Sequence, residues 1–197
     1  MHLNRIFQAL TGALLIFTVF SNQIVLAQEH PSFISLQTGV SIPFGGYSST
    51  TLDEGSFTQA GFNASFEGAW FFSKHFGAGL SAGFNLHPVD VSALGRAQVN
   101  NEPFLTDVFI RSEPYRIITV MPGLFVGFKL SEKWFINGKF LAGLLHGKTP
   151  YQLYKPDYYL LPDEWEEVTS SSDYKFSWQI GTSILYQLSP CIGISLN

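Results

Sequence analysis

The chain has 197 residues, enough for one domain with a sizeable interior, and carries 13% charged residues against 16% aromatic ones. An ordinary soluble domain holds about 25% charged residues, so a large part of this surface is not built to face water. The formal net charge is −4, and its 11 Lys and Arg are spread along the chain, which leaves no basic footprint and excludes nucleic acid as a partner.

The first predicted element is a secretory signal peptide over residues 1–27. Arg5 is the only charged side chain before Glu29, an apolar run occupies 6–20, and Val25 and Ala27 stand three and one residues before a cleavage point at Gln28. The apolar core is shorter than the roughly 20 residues that a spanning helix needs. The expected mature domain is 28–197, and its lone Cys191 cannot form an internal disulfide.

Downstream, apolar residues recur at every second position, which is strand geometry. Residues 33–44 place Ile34, Leu36, Val40, Ile42 and Phe44 opposite Ser35, Gln37, Gly39 and Ser41. Residues 59–72 oppose Phe62, Phe66, Trp70 and Phe72 to Gln59, Asn63, Ser65 and Glu67. In 75–87, Phe76, Leu80, Phe84 and Leu86 alternate with Gly77, Gly79, Gly83 and His87 without interruption. The same split is predicted over 116–130, whose opposing face is more mixed and includes Met121 and Phe125, over 133–146, where Leu141 joins Asn137 and Lys139, and over 174–188 and 192–197, for seven strands in all. Three connections are short, at 73–75, 131–133 and 189–191. The others, 45–58, 88–115 and 148–173, read as long loops. Short turns at one end and long loops at the other describe an up-and-down antiparallel meander.

The polar face identifies the solvent. A face meeting water carries Lys, Glu, Asp and Arg; this one carries Gly, Ser, Asn, Gln and Thr, which suit a narrow interior. The bulky face then points to lipid. Trp70, Phe72, Phe76, Phe128, Trp134 and Tyr186 flank the short turns on that face, as an aromatic girdle at one membrane interface. The expected fold class is all-β, an up-and-down antiparallel transmembrane β-barrel of eight-stranded type with seven strands visible.

On this pattern the chain, over 32–197, resembles the small porin-like outer-membrane β-barrel family that includes the OmpX-type and OmpA-type barrels. The resemblance implies export through the cleaved signal peptide and residence in the outer membrane of a Gram-negative bacterium. It implies contact with outer-membrane lipid and lipopolysaccharide, and insertion by the outer-membrane assembly machinery. That machinery commonly reads a terminal strand ending in an aromatic residue, whereas this chain ends in "CIGISLN". An odd strand count leaves backbone groups unpaired in hydrocarbon, so the domain is expected to be C-terminally incomplete, or closed by another chain.

An eight-stranded barrel is filled by its own side chains, so a wide pore is not expected. Glu67 and Lys139 lie at similar depth on the inward face and are predicted to form an ion pair, with Lys129, Asn63, Asn137 and Gln179 as further members. No catalytic, cofactor or metal residues are assigned. His87 and His146 sit near the loop rim outside any lipase pattern, and no G-x-S-x-G occurs. Loop 148–173 brings Tyr154, Tyr158, Tyr159 and Trp165 among acidic residues, the composition of an interaction surface whose partner the residues do not specify. The expectation is a non-enzymatic barrel with a structural or loop-mediated role. The alternatives are a lipid-modifying outer-membrane enzyme and a soluble periplasmic lipocalin-like lipid carrier.

Overall fold

A computed structural model describes residues 32–159, 164–189 and 192–197. The segment expected to be a signal peptide and Cys191 lie outside these residues. The described elements are β1 (Phe33–Ser41), a 3-10 turn (Gly45–Ser48), β2 (Gly61–Phe71), β3 (Phe76–His87), α1 (Val91–Asn101), β4 (Leu105–Ser112), β5 (Tyr115–Lys129), β6 (Trp134–Lys148), β7 (Gln152–Tyr158), β8 (Glu166–Val168), β9 (Ser172–Ser189) and β10 (Ile192–Leu196).

Seven strands form one antiparallel sheet in the order β1-β2-β3-β5-β6-β9-β10. The register keeps the two faces intact across it: Phe66 pairs with Ala82, Ala82 with Val120, and Leu144 with Phe176, all on the exposed side. The sheet curls until β2 and β6 touch across its concave side through Glu67 and Lys139, and β1 meets β5 through Phe33 and Phe125. Glycines permit the curl. Gly79 and Gly123 are cross-strand partners; a Cβ on Gly79 would overlap the Gly68 carbonyl and stand 2.7 Å from Phe125 Cε2.

β1 and β10 are the edges of the sheet and are not paired with each other, so the seven strands form an open antiparallel sheet among the described residues. One expectation is corrected. The segments 88–115 and 148–173 are not loops, since they hold α1 and a second sheet, β4-β7-β8. The concave face carries an apolar cluster beside its polar groups: Ala69, Phe71, Met121, Phe125 and Leu141 are buried together, with Phe33 packed on them. Burying each of its large side chains, Phe71, Met121, Phe125 and Leu141, is worth about 1.5–3 kcal/mol, so this cluster is the main apolar core of the curled sheet.

The second sheet continues the first. β4 runs into β5 and β6 into β7, and the ladder keeps one register: Arg116 faces Lys148, and Ser112 faces Gln152. Between them Pro114 and Pro150 stand at matching positions. Proline supplies no ladder N–H, so the ribbon is interrupted there and resumes through the Glu113 N–H donating to Tyr151 O at 2.9 Å.

Candidate functional site

The concave side of the sheet holds the polar residues that the alternation placed there. Lys139 Nζ and Glu67 Oε2 form a salt bridge, with side chains only 6% and 2% exposed. The lysine stem lies over Gly181, where a Cβ would come within 2.9 Å of Lys139 Cε. The empty side chain at 181 is therefore what admits the cation to mid-depth. Two charges taken out of water are tolerated only as a pair, so each fixes the other. Nearby, Asn63 Nδ2 donates to Asn85 Oδ1 at 2.8 Å, and Ser65 donates to Gln37. Asn137 is buried, and its Oδ1 has no hydrogen-bond partner. These groups line a cavity of about 1950 Å³, together with Gln179 and Ser183 and the whole length of β1 and β10.

Lys129, named with this pair from its parity, does not join it. It is exposed at the short-turn end of β5, four residues and about 13 Å along the strand from Phe125, the residue facing Lys139. Parity gives a face, whereas depth decides which groups meet.

At the opposite end lies a cluster that sequence reading did not assemble. Tyr47, from the 3-10 turn, packs edge-on against His87 at the end of β3 (5.4 Å) and Tyr115 at the start of β5 (5.5 Å). His87 is buried, with Nδ1 3.3 Å from Gln59 O. Thr58 donates its hydroxyl to Tyr47 O. The Tyr47 hydroxyl is buried without a partner, and burial first, then the neighbouring Tyr115, pushes it up to about 12. A group raised in this way gives full stability below pH 10, lost as pH climbs from 10 to 12. Tyr47→Phe removes an unsatisfied hydroxyl, so it should be neutral or stabilising by up to about 1 kcal/mol in thermal unfolding, and should flatten that alkaline loss.

Above this mouth sits the cap made by α1 and β4-β7-β8. Phe57, Leu94 and Ile110 are its buried centre, joined by Val91, Ala97, Val108 and Tyr154. Phe57 holds φ at +50°, a left-handed conformation that costs a non-glycine residue energy. The cost is met by sending its ring into this core and its carbonyl to the Asp90 N–H at 2.7 Å. Asp90 caps α1, accepting from the Ala93 N–H at 2.8 Å. That bond first, then the Gln59 side chain, holds its carboxyl below its usual value. Its contribution is present above the ordinary carboxylate range and fades as pH falls through the lowered value. Asp90→Ala should weaken α1 by about 1 kcal/mol, seen as roughly fivefold faster hydrogen exchange over 91–101, while Asp90→Asn should retain most of the cap.

The aromatic residues proposed for a loop surface divide here. Tyr154 lies on β7 and packs into the cap core, so it is not an exposed contact. Tyr158 also belongs to β7, and Tyr159 and Trp165 are exposed. Trp165 stands edge-on to Phe109 at 6.2 Å, with exposed Phe104 bonded to Tyr159 through backbone at 3.2 Å. The aromatic residues named for a girdle keep the convex side near the short turns, where Trp134 lies tilted against Tyr186 at 4.7 Å and Trp70 edge-on to Phe72 at 6.4 Å. Phe76 and Phe128 are exposed on the same face, the latter against His75 at 5.1 Å. His146 is paired with Tyr174 at 4.5 Å on the outer rim, away from His87.

Among the described residues, no group of three or more His, Cys, Asp or Glu side chains that could hold a metal ion comes together. No family model, curated protein or solved structure matches the chain.

Proposed function

We propose that the protein is an integral outer-membrane β-barrel of a Gram-negative bacterium, with a structural role or one mediated by its exposed cap, and without catalysis. One observation carries this reading: the convex face is a continuous apolar belt. Leu36, Phe66, Leu80, Val120, Phe140 and Trp178 all stand exposed on successive strands, while the concave side holds the buried charges. Soluble proteins rarely expose contiguous apolar patches beyond a few hundred Å². A lipid carrier of lipocalin type needs the opposite arrangement, with its apolar face turned inward. Lipid on the convex side makes the belt favourable, and Trp134, Tyr186, Trp70 and Phe128 supply its amphipathic edge.

The expected outcome in cells is recovery of the protein in the outer-membrane fraction, soluble only with detergent and shifted on a gel by boiling. A protein that stays monomeric in buffer without detergent would overturn the reading. Unchanged lipid A acylation in cells with and without the protein separates this role from that of a lipid-modifying enzyme.

A further inference from the structure

We propose that the cap-side edge of the apolar belt binds one membrane lipid with a phosphomonoester head group, through Arg116 of β5, Lys148 of β6 and Tyr174 of β9. The inference rests on the membrane-spanning reading and deepens it. Lipid in general meets the whole belt, whereas this site selects a head group at one place on its rim.

The ladder builds the site. Three successive rows cross β5, β6 and β9 on the convex face: Val120, Leu144 and Phe176; then Ile118, His146 and Tyr174; then Arg116, Lys148 and Ser172. Neighbouring rows lie about 6.8 Å apart along the strands. In two steps the face passes from exposed apolar side chains, through the His146–Tyr174 pair at 4.5 Å, to two full cations. Acyl chain, interface and head group follow one another in that order through a leaflet, so the cations stand at the depth of a lipid phosphate. On β3 the same three rows carry Ala82, Phe84 and Leu86, and the charge does not extend to that side.

The charges call for an anion. Arg116 and Lys148 are direct cross-strand partners, with Cβ atoms about 5 Å apart, and like charges so placed repel. Their row holds nothing that neutralises them, since Leu86 and Ser172 stand on either side. Glu113 reaches Arg116 at 3.4 Å with both side chains nearly half exposed, a pair of small worth. Asp173 is held by Lys175 at 2.9 Å, and among the described residues no carboxylate is paired with Lys148. A phosphomonoester brings nearly two negative charges and three acceptor oxygens. Those oxygens match the arginine fork, the lysine ammonium and the hydroxyl of exposed Tyr174, which lies diagonal to Lys148. A phosphodiester brings one charge and two free oxygens, and leaves one of the two cations uncompensated. The acyl chains of the same lipid lie on Ile118, Leu144 and Phe176 directly below.

The experiment adds lipids of matched acyl chains to the protein purified from its own membranes in mild detergent, and reads bound lipid by native mass spectrometry. Phosphatidic acid supplies the phosphomonoester, phosphatidylglycerol a phosphodiester, and phosphatidylcholine no net charge. One phosphatidic acid should be held about fivefold more tightly than phosphatidylglycerol, the effect of one further charge, with phosphatidylcholine weaker still. Arg116→Gln/Lys148→Gln should weaken phosphatidic acid by about 25-fold, roughly fivefold for each cation. Lys133→Gln, in the short turn at the opposite rim, should leave it unchanged. Equal retention of the three lipids overturns the proposal without recourse to any variant. An equal loss in Lys133→Gln means diffuse attraction to anionic lipid, and overturns it as well. Excess glycerol 3-phosphate should not displace the lipid; displacement would make the site one for free phosphate esters and refute the lipid assignment. Failure of the membrane reading itself shows separately, as a protein soluble without detergent.

Discussion

Lys139→Met should destabilise the folded protein by about 3–5 kcal/mol, because it leaves the Glu67 carboxylate buried and uncompensated. The cost belongs to breaking the pair rather than to the pair's own worth. Glu67→Gln should be costly for the same reason, with the ammonium stranded against Gly181. The double variant Glu67→Gln/Lys139→Met replaces two charges by groups of similar volume and should recover most of the loss. Urea unfolding of the purified protein measures all three, and a double variant as unstable as the sum of the singles would show that the two residues do not act as a pair.

Phe125→Ala carries a loss of similar size, about 3–5 kcal/mol, by a different route. Phe125 is 1% exposed and sits at the centre of the apolar cluster, with Phe33 edge-on at 6.1 Å and Met121 and Leu141 in the same cluster. Its ring fills the slot that Gly79 leaves open. Truncation leaves a cavity that the neighbouring strands cannot collapse into, since their backbones are already in contact at Gly79 and Gly123. The same urea titration reads the effect, and a loss under 1 kcal/mol would mean that this end of the sheet is not packed as described.

The alternation of Phe76, Leu80 and Phe84 with Gly77, Gly79 and Gly83 was enough to assign a strand, its two faces and its neighbours' short turns, because period two is a local property. The Glu67–Lys139 pairing was also legible, since both depth and parity could be counted from a turn. Lys129 shows where that counting stops short: its parity is inward, but its distance along β5 is wrong. Phe125 was already legible on a mixed inward face, whereas Phe71 was not assigned; its odd number beside Glu67 and Ala69 was the signal, and the small residues around it masked it. The cap was hidden by its prolines. Pro114 and Pro150 made 105–112 and 152–158 look separate from the strands that they extend, although Val108 and Ile110 alternate with polar residues and Asp90 begins a cap pattern for α1. The Tyr47–His87–Tyr115 contact joins three distant segments and has no local signature.

The interruption at Pro114 and Pro150 has a mechanical meaning. Among the described residues the β5–β6 ribbon continues upward into β4 and β7, so the cap stands on that stem. Its far side is fastened by the Asp90 N–H on Phe57 O and by the bridge between Thr58 and Val89. A load on the exposed Phe109–Trp165 face is thus carried by a joint on one side and a clasp on the other, and the strained Phe57 backbone is part of that clasp.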